Sequence, residues 1–250
     1  MGDSMLLQAS DLMALAFFLL VWIVYDRIVN GHFIARVSLT MAMNKQREAW
    51  MRTMARRDLR MIDTGIMLGL QQGTAFFASS SLLALGGCFA LIGASDRVFS
   101  VLGDLPFSQL PSRPVFEIKV MGLIVLLSYS FFKFGWSYRL FNYCSILIGA
   151  VPSLQDKASQ ALETERAVYR AARMNILAGK HFNAGLRGIF FSIGYLGWFL
   201  GPVIFVFTTL LLLAVLARRQ FFSEARAAAL SETPAQLGAG NTESIRPDSL

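Results

Sequence analysis

The chain has 250 residues, 55% of them hydrophobic and only 16% charged, with 21 phenylalanines and a formal net charge of +7. Ordinary soluble domains are about a quarter charged, so this balance excludes a typical water-soluble globule and points to lipid contact. With long apolar runs present, anionic lipid head groups and the positive-inside rule explain the cation excess better than nucleic acid does.

The first apolar run covers residues 12–25, and residues 5–7 extend it toward the roughly 20 needed to cross a bilayer. The stretch before it has no Lys or Arg and carries Asp3 and Asp11. No small-x-small cleavage site follows; Tyr25-Asp26-Arg27 stands there instead. The run is therefore predicted to be an uncleaved span, not a signal peptide. Residues 44–72 lack proline and have helix-forming composition. A second apolar run covers 74–94, a third 120–151 and a fourth 189–217, which ends at Arg218-Arg219. Between the last two, residues 156–180 read as another helix, opened by Pro152-Ser153 and the first-turn acid Asp156. From about residue 220 periodicity is lost, and Pro234, Gly238, Gly240 and Pro247 punctuate a tail expected to be disordered.

The third run is too long for its task. As a helix it would extend about 48 Å, against a hydrocarbon thickness of about 30 Å. Helices two, three and four should therefore project beyond the bilayer and pack there as a short bundle. The predicted fold is all-α: a four-helix transmembrane bundle over 1–219 with cytoplasmic helical extensions, and a disordered tail over 220–250. The two segments between spans one and two and between spans three and four hold fifteen Lys and Arg, from Arg27 to Arg60 and from Arg139 to Arg187. The other flanks hold seven: Arg97, Arg113, Lys119, Arg218, Arg219, Arg226 and Arg246. Both termini are thus predicted to face outward, with Arg218-Arg219 arguing the other way; a fifth crossing would reverse the tail. The localisation implied is a multi-pass protein of the cell membrane, the inner membrane if the source is bacterial.

One group of polar residues stands out. Arg56, Arg60 and Asp63 fall at i, i+4 and i+7, one face of a continuous helix. Asp63 sits among apolar residues, where an unpaired carboxylate is costly, so it calls for a cation. Lys133, Trp136, Arg139 and Asn142 recur every three residues along the third run and supply candidates. Asn183 and Arg187, at i and i+4, bring a third helix to similar depth. Three readings stay open: ion pairs that fix helix register, a pocket for an anion or lipid head group, and a catalytic or proton-carrying site. The excess of cations favours phosphate or carboxylate over a cationic ligand. Gly65, Gly69 and Gly73, and Gly197 and Gly201, repeat at i+4 and would let helix backbones approach. The Ser79-Ser80-Ser81 cluster can bond its own helix at i−4.

Nothing in the chain carries a nucleotide, hydrolase or zinc-protease motif, and no cofactor is expected. Cys88 and Cys144 lie inside apolar runs and read as buried small hydrophobes. His32 and His181 have no ligand-spaced partners, so no metal site is expected.

The stretch from Trp50-Met51 through Arg56, Arg60 and Asp63 to Phe76-Phe77-Ala78-Ser79 resembles a membrane family catalogued as domain of unknown function 599. So do FKFGWSYRLFNYCSILIGAVP, from Phe132 to Pro152, and HFNAGLRGIFFSIGYLGWFLGP, from His181 to Pro202. The resemblance covers about residues 10–220 and implies a multi-span membrane protein, with no activity attached. The leading expectation is a non-enzymatic membrane protein whose basic cluster pairs helices and offers a site for an anionic lipid or a partner protein. Alternatives are an oligomeric transporter or channel for a small anionic solute, and a membrane enzyme acting on a lipid or quinone. Partners would be membrane lipids, anionic ones among them, and a second copy or another protein, not nucleic acid.

Overall fold

The computed structural model describes residues 7–31, 37–97, 99, 112–152 and 161–230. Six long helices, a 3-10 turn and a short terminal helix follow one another. They are α1 (Ala9–Asn30), α2 (Leu39–Ala55), α3 (Met61–Gly93), α4 (Arg113–Gly149), α5 (Ala161–Tyr195), the turn Leu196–Leu200, α6 (Pro202–Phe221) and α7 (Glu224–Leu230). The expected all-helical fold is present, with four segments long and apolar enough to cross a membrane: α1, α3, α4 and the segment Pro202–Leu230. Large apolar side chains such as Leu20, Leu83, Phe132 and Val203 stay exposed on these helices.

Local chemistry sets the boundaries. Ser38 caps α2, its hydroxyl accepting the Met41 N–H at 3.2 Å. Proline in the first turn starts both α4 and α6, where the missing N–H costs nothing. Gly201 has φ +130°, a conformation that side chains strongly oppose. This glycine and Pro202 break the expected fourth run, residues 189–217, into the end of α5 and the whole of α6. The face expected from Arg56 through Asp63 is broken as well, because α2 ends at Ala55 and α3 begins at Met61. The tail loses helicity later than expected, since α7 continues to Leu230; the expected disorder beyond it, residues 231–250, lies outside the described residues, as does His32.

Contacts fix the order of the helices. Ser137 of α4 donates to the Ala178 carbonyl of α5 at 2.8 Å, and Lys119 near the start of α4 donates to the Trp198 carbonyl just beyond α5 at 2.8 Å. The two helices therefore run antiparallel along their full lengths. α6 then returns beside α5, and Gln220 at its end donates to Thr40 of α2 at 2.7 Å. The start of α1 and the end of α6 thus lie at opposite ends of the bundle. We call these the Gly201 end and the α2 end. Seventeen of the 35 residues of α5 are buried, against six of 33 in α3, so α5 is the central rod and α3 the peripheral one.

Two cores divide the bundle. The first joins α1, α3, α4, α5 and α6 around aromatic rings, with Phe18, Phe191, Tyr195, Trp198 and Phe205 almost fully enclosed. Trp22 stacks on Phe191 at 5.3 Å and Trp198 on Phe205 at 5.3 Å. The second, at the α2 end, joins α2, α3, α4 and α5 through Met51, Met54, Met67, Phe141, Cys144 and a run of alanines on α5. The helices are long enough to build both cores: α3, α4 and α5 have 33, 37 and 35 residues, about 50 to 55 Å each. Both cysteines are buried and free.

Of the glycines singled out by spacing, Gly197 makes a close approach and Gly65, Gly69, Gly73 and Gly201 do not; further close approaches occur along α5. A Cβ at Gly188 would meet Ser130 Oγ at 2.2 Å, and one at Gly197 would meet Thr208 Oγ1 at 2.2 Å, whereas Gly65, Gly69 and Gly73 face open space. Gly188→Val and Gly197→Val are each expected to cost about 1–3 kcal/mol through overpacking, read as a lowered melting temperature in detergent. Gly69→Ala should leave that temperature unchanged.

Candidate functional site

The polar residues singled out in the sequence separate into several arrangements. Asp63 is fully buried in the first turn of α3. Its Oδ1 accepts from Arg57 Nη1 at 2.7 Å and from Trp50 Nε1 at 2.7 Å, while Oδ2 has no partner among the described residues. The cation it calls for comes from the turn just before α3, not from α4. That local pairing was hidden because the sequence reads straight through a helix break. Arg60 turns the other way and donates to the carbonyls of Ile148, Val151 and Pro152 at 3.0, 2.6 and 3.2 Å. It therefore satisfies the orphan acceptors at the end of α4 with a full charge. Arg56 caps α2 through its backbone N–H, and its side chain borders a groove between α2 and α5.

The row on α4 does not converge on Asp63. Lys133 lies 5.2 Å over the Tyr129 ring, and Arg139 bonds Tyr143 Oη at 2.6 Å; both interactions stay within α4. Trp136 is half exposed and meets His181 edge to face, with ring centres 6.4 Å apart. Asn142 accepts from Gln71 Nε2 of α3 at 2.8 Å, one of the few polar links that tie the peripheral helix down.

Arg187 is buried in the middle of α5 and pairs with Asp26 of α1 at 2.5 Å. Nearby, Arg47 of α2 donates to the side chain and, at 3.4 Å, to the carbonyl of Asn175, which is itself wholly buried. Burial pulls the Arg47 guanidinium below its usual range, and the neighbouring Cys144 thiol offsets this in part. Asn183 and Arg187 both line a cavity of about 350 Å³ bounded by α1, α2, α5 and α6. Asp26 and Arg47, which complete this corner, carry no sequence spacing that would have linked them to Arg187.

A further polar knot lies at the Gly201 end. Lys119 and Asp11, both buried, stand 3.3 Å apart, and Trp198 Nε1 donates to the same Asp11 oxygen at 2.6 Å. Lys119 Nζ also lies 5.1 Å over the Trp198 ring, and its backbone carbonyl accepts from Tyr195 Oη at 3.0 Å. In the sequence these residues are a flank acid, a loop cation and two aromatics, with nothing to say that they meet. Ser80 and Ser81 bond the carbonyls of Phe76 and Phe77 at 2.8 Å each, the within-helix use expected of them.

Fold and polar interior together define an all-helical protein with four segments long and apolar enough to cross a membrane, in which Asp11, Asp26 and Asp63 each pair with a cation on another segment. The chain belongs to the family described as protein of unknown function, DUF599, whose model matches residues 13–225. No curated protein and no solved structure matches it.

Two measurements check the roles assigned to these charges. Arg60→Ala should lower stability by about 1.5–3 kcal/mol by unsatisfying the end of α4, and Arg139→Ala by less than about 0.5 kcal/mol, as for an exposed pair. Lys119→Met strands a buried carboxylate and should cost about 3–5 kcal/mol. In a double-mutant cycle, adding Asp11→Asn should recover a large part of that loss; strict additivity would mean the two do not act as a pair.

Proposed function

We propose that the protein is a multi-pass integral membrane protein without a reaction of its own, in which a basic interfacial network pairs helices and receives an anionic lipid or a partner protein. The observation that carries this reading is the way buried charges are used. Asp11, Asp26 and Asp63 each bond a cation on another segment, as polar groups do where water is scarce. Asp63 is already committed to Arg57 and Trp50, which speaks against a free general base there.

The antiparallel path of α5 supports a fifth crossing, with the N-terminus outside and α7 inside. Arg218, Arg219, Arg226 and Arg246 then join the fifteen cations of the two connecting segments, against Arg97, Arg113 and Lys119 outside. This distribution follows the positive-inside rule more closely than four crossings do. A second reading, an oligomeric conduit for a small anionic solute, draws on the open α3 face that carries Gly65, Gly69 and Gly73. Such small-residue faces suit helix contacts between copies.

Impermeant maleimide labelling of whole cells tests the topology, in a chain with Cys88 and Cys144 replaced by alanine. Ala9→Cys should label from outside, and Ala227→Cys only after the membrane is permeabilised. Labelling of Ala227→Cys in intact cells would restore the four-crossing arrangement and overturn this topology.

A further inference from the structure

The arginines of the cavity at the α2 end come from three different helices. Arg47 lies on α2, Arg187 on α5 and Arg219 on α6, and all three line the same space. Asp26 binds Arg187 through Nη2, and no carboxylate is among the residues that line the space. Arg187 is 6% exposed, and its Nε has no acceptor among the described residues. A buried guanidinium N–H without an acceptor is costly, and the side chain that carries it lines the cavity. Thr40, Gln220 and Tyr25 add hydroxyl and amide groups to the wall, and Val29, Phe190 and Leu216 supply apolar surface.

Charge and shape narrow the ligand. Three guanidiniums against one carboxylate select an anion, and planar guanidinium forks match phosphate oxygens in pairs. The mixture of basic and apolar walls, in a space of about 350 Å³, suits a head group with an attached apolar portion better than a wholly polar metabolite. Asp26 lies fifteen residues along α1 from Asp11, about 22 Å, so the two acids lie toward opposite ends of that helix.

We propose that this cavity binds the phosphate ester group of an anionic amphiphile, with Arg47, Arg187 and Arg219 holding the phosphate oxygens. The inference rests on the reading that the α2 end lies at the inner lipid interface. It names the site and the ligand chemistry, and it moves the anion site away from Asp63 and the α4 row. Arg219 is the informative position, because it is exposed and its other contact is a ring, Phe190 at 5.4 Å. Arg187 and Arg47 also hold helices together.

The full chain, purified in a phosphate-free non-ionic detergent, is mixed separately with phosphatidylglycerol, phosphatidylcholine and inorganic phosphate. Native mass spectrometry reads retained lipid, and thermal unfolding reads stabilisation. One phosphatidylglycerol should be retained per chain, with phosphatidylcholine at least tenfold weaker. Arg219→Gln should lower phosphatidylglycerol retention at least fivefold, and Arg52→Gln, an arginine of α2 outside the cavity, should leave it unchanged. Met43→Trp, which fills the cavity and keeps every charge, should abolish retention even if Arg219→Gln proves unstable. If inorganic phosphate alone raises the melting temperature and displaces the lipid, the site stands and its source is the free ion. Equal retention of the two lipids, no effect of either cavity variant, or no response to lipid and phosphate alike overturns the proposal. The maleimide labelling above is read without any ligand, so the topology and the cavity can fail separately.

Discussion

Lys119 and Asp11 face one another where neither reaches bulk water, and the pairing fixes three segments at once: the start of α1, the start of α4 and the turn beyond α5. An isolated charge there would be prohibitive, whereas a bonded pair is tolerable. Trp198 makes the arrangement specific. Its indole N–H bonds the carboxylate, its carbonyl accepts from the ammonium, and its ring lies under the cation. With that end pinned, α4 and α5 must run antiparallel, and the registers of Ser137 with Ala178 and of Asp26 with Arg187 follow.

The apolar runs placed the helices that are long and apolar enough to cross a membrane, because a span must be long and uninterrupted in sequence. Their excess length leaves room for the second core at the α2 end. The path of α5 was harder to read. Its residues 161–187 are amphipathic and charged, so hydropathy assigned them to a connecting segment, yet they pack against α4 throughout. The break at Gly201 was hidden in turn by the apolar residues on both sides of it. A hydropathy profile reports composition, and here a single backbone conformation at one glycine decides where the chain reverses.

The charged residues show a related division. Asp63 does have the cation that its surroundings demand. The pairing was not legible, and the common depth expected of the group is not met: Arg60 beside Asp63 reaches Ile148 of α4, whereas Gly188 beside Arg187 packs on Ser130. Arg57 rather than Lys133 serves Asp63, since a turn between α2 and α3 brings it back. Arg60 leaves the acid for the carbonyls at the end of α4. The residues that meet at the α2 end, Asp26, Arg47 and Arg187, are separated by 21 and 140 positions in the chain. Only tertiary structure shows them together.

The reversal at Gly201 also bears on how such a chain reaches its place. The last two turns of α5 are apolar, but Lys180, Asn183 and Arg187 precede them, and on its own this stretch would partition poorly from a translocon into lipid. α6 follows after a five-residue turn and is strongly apolar. On the proposed five-crossing topology, the pair would enter as one helical hairpin, with the hydrophobic arm carrying the polar one and Asp26 of α1 as counter-ion to Arg187. The order of synthesis then matches the order in which the buried charges find their partners.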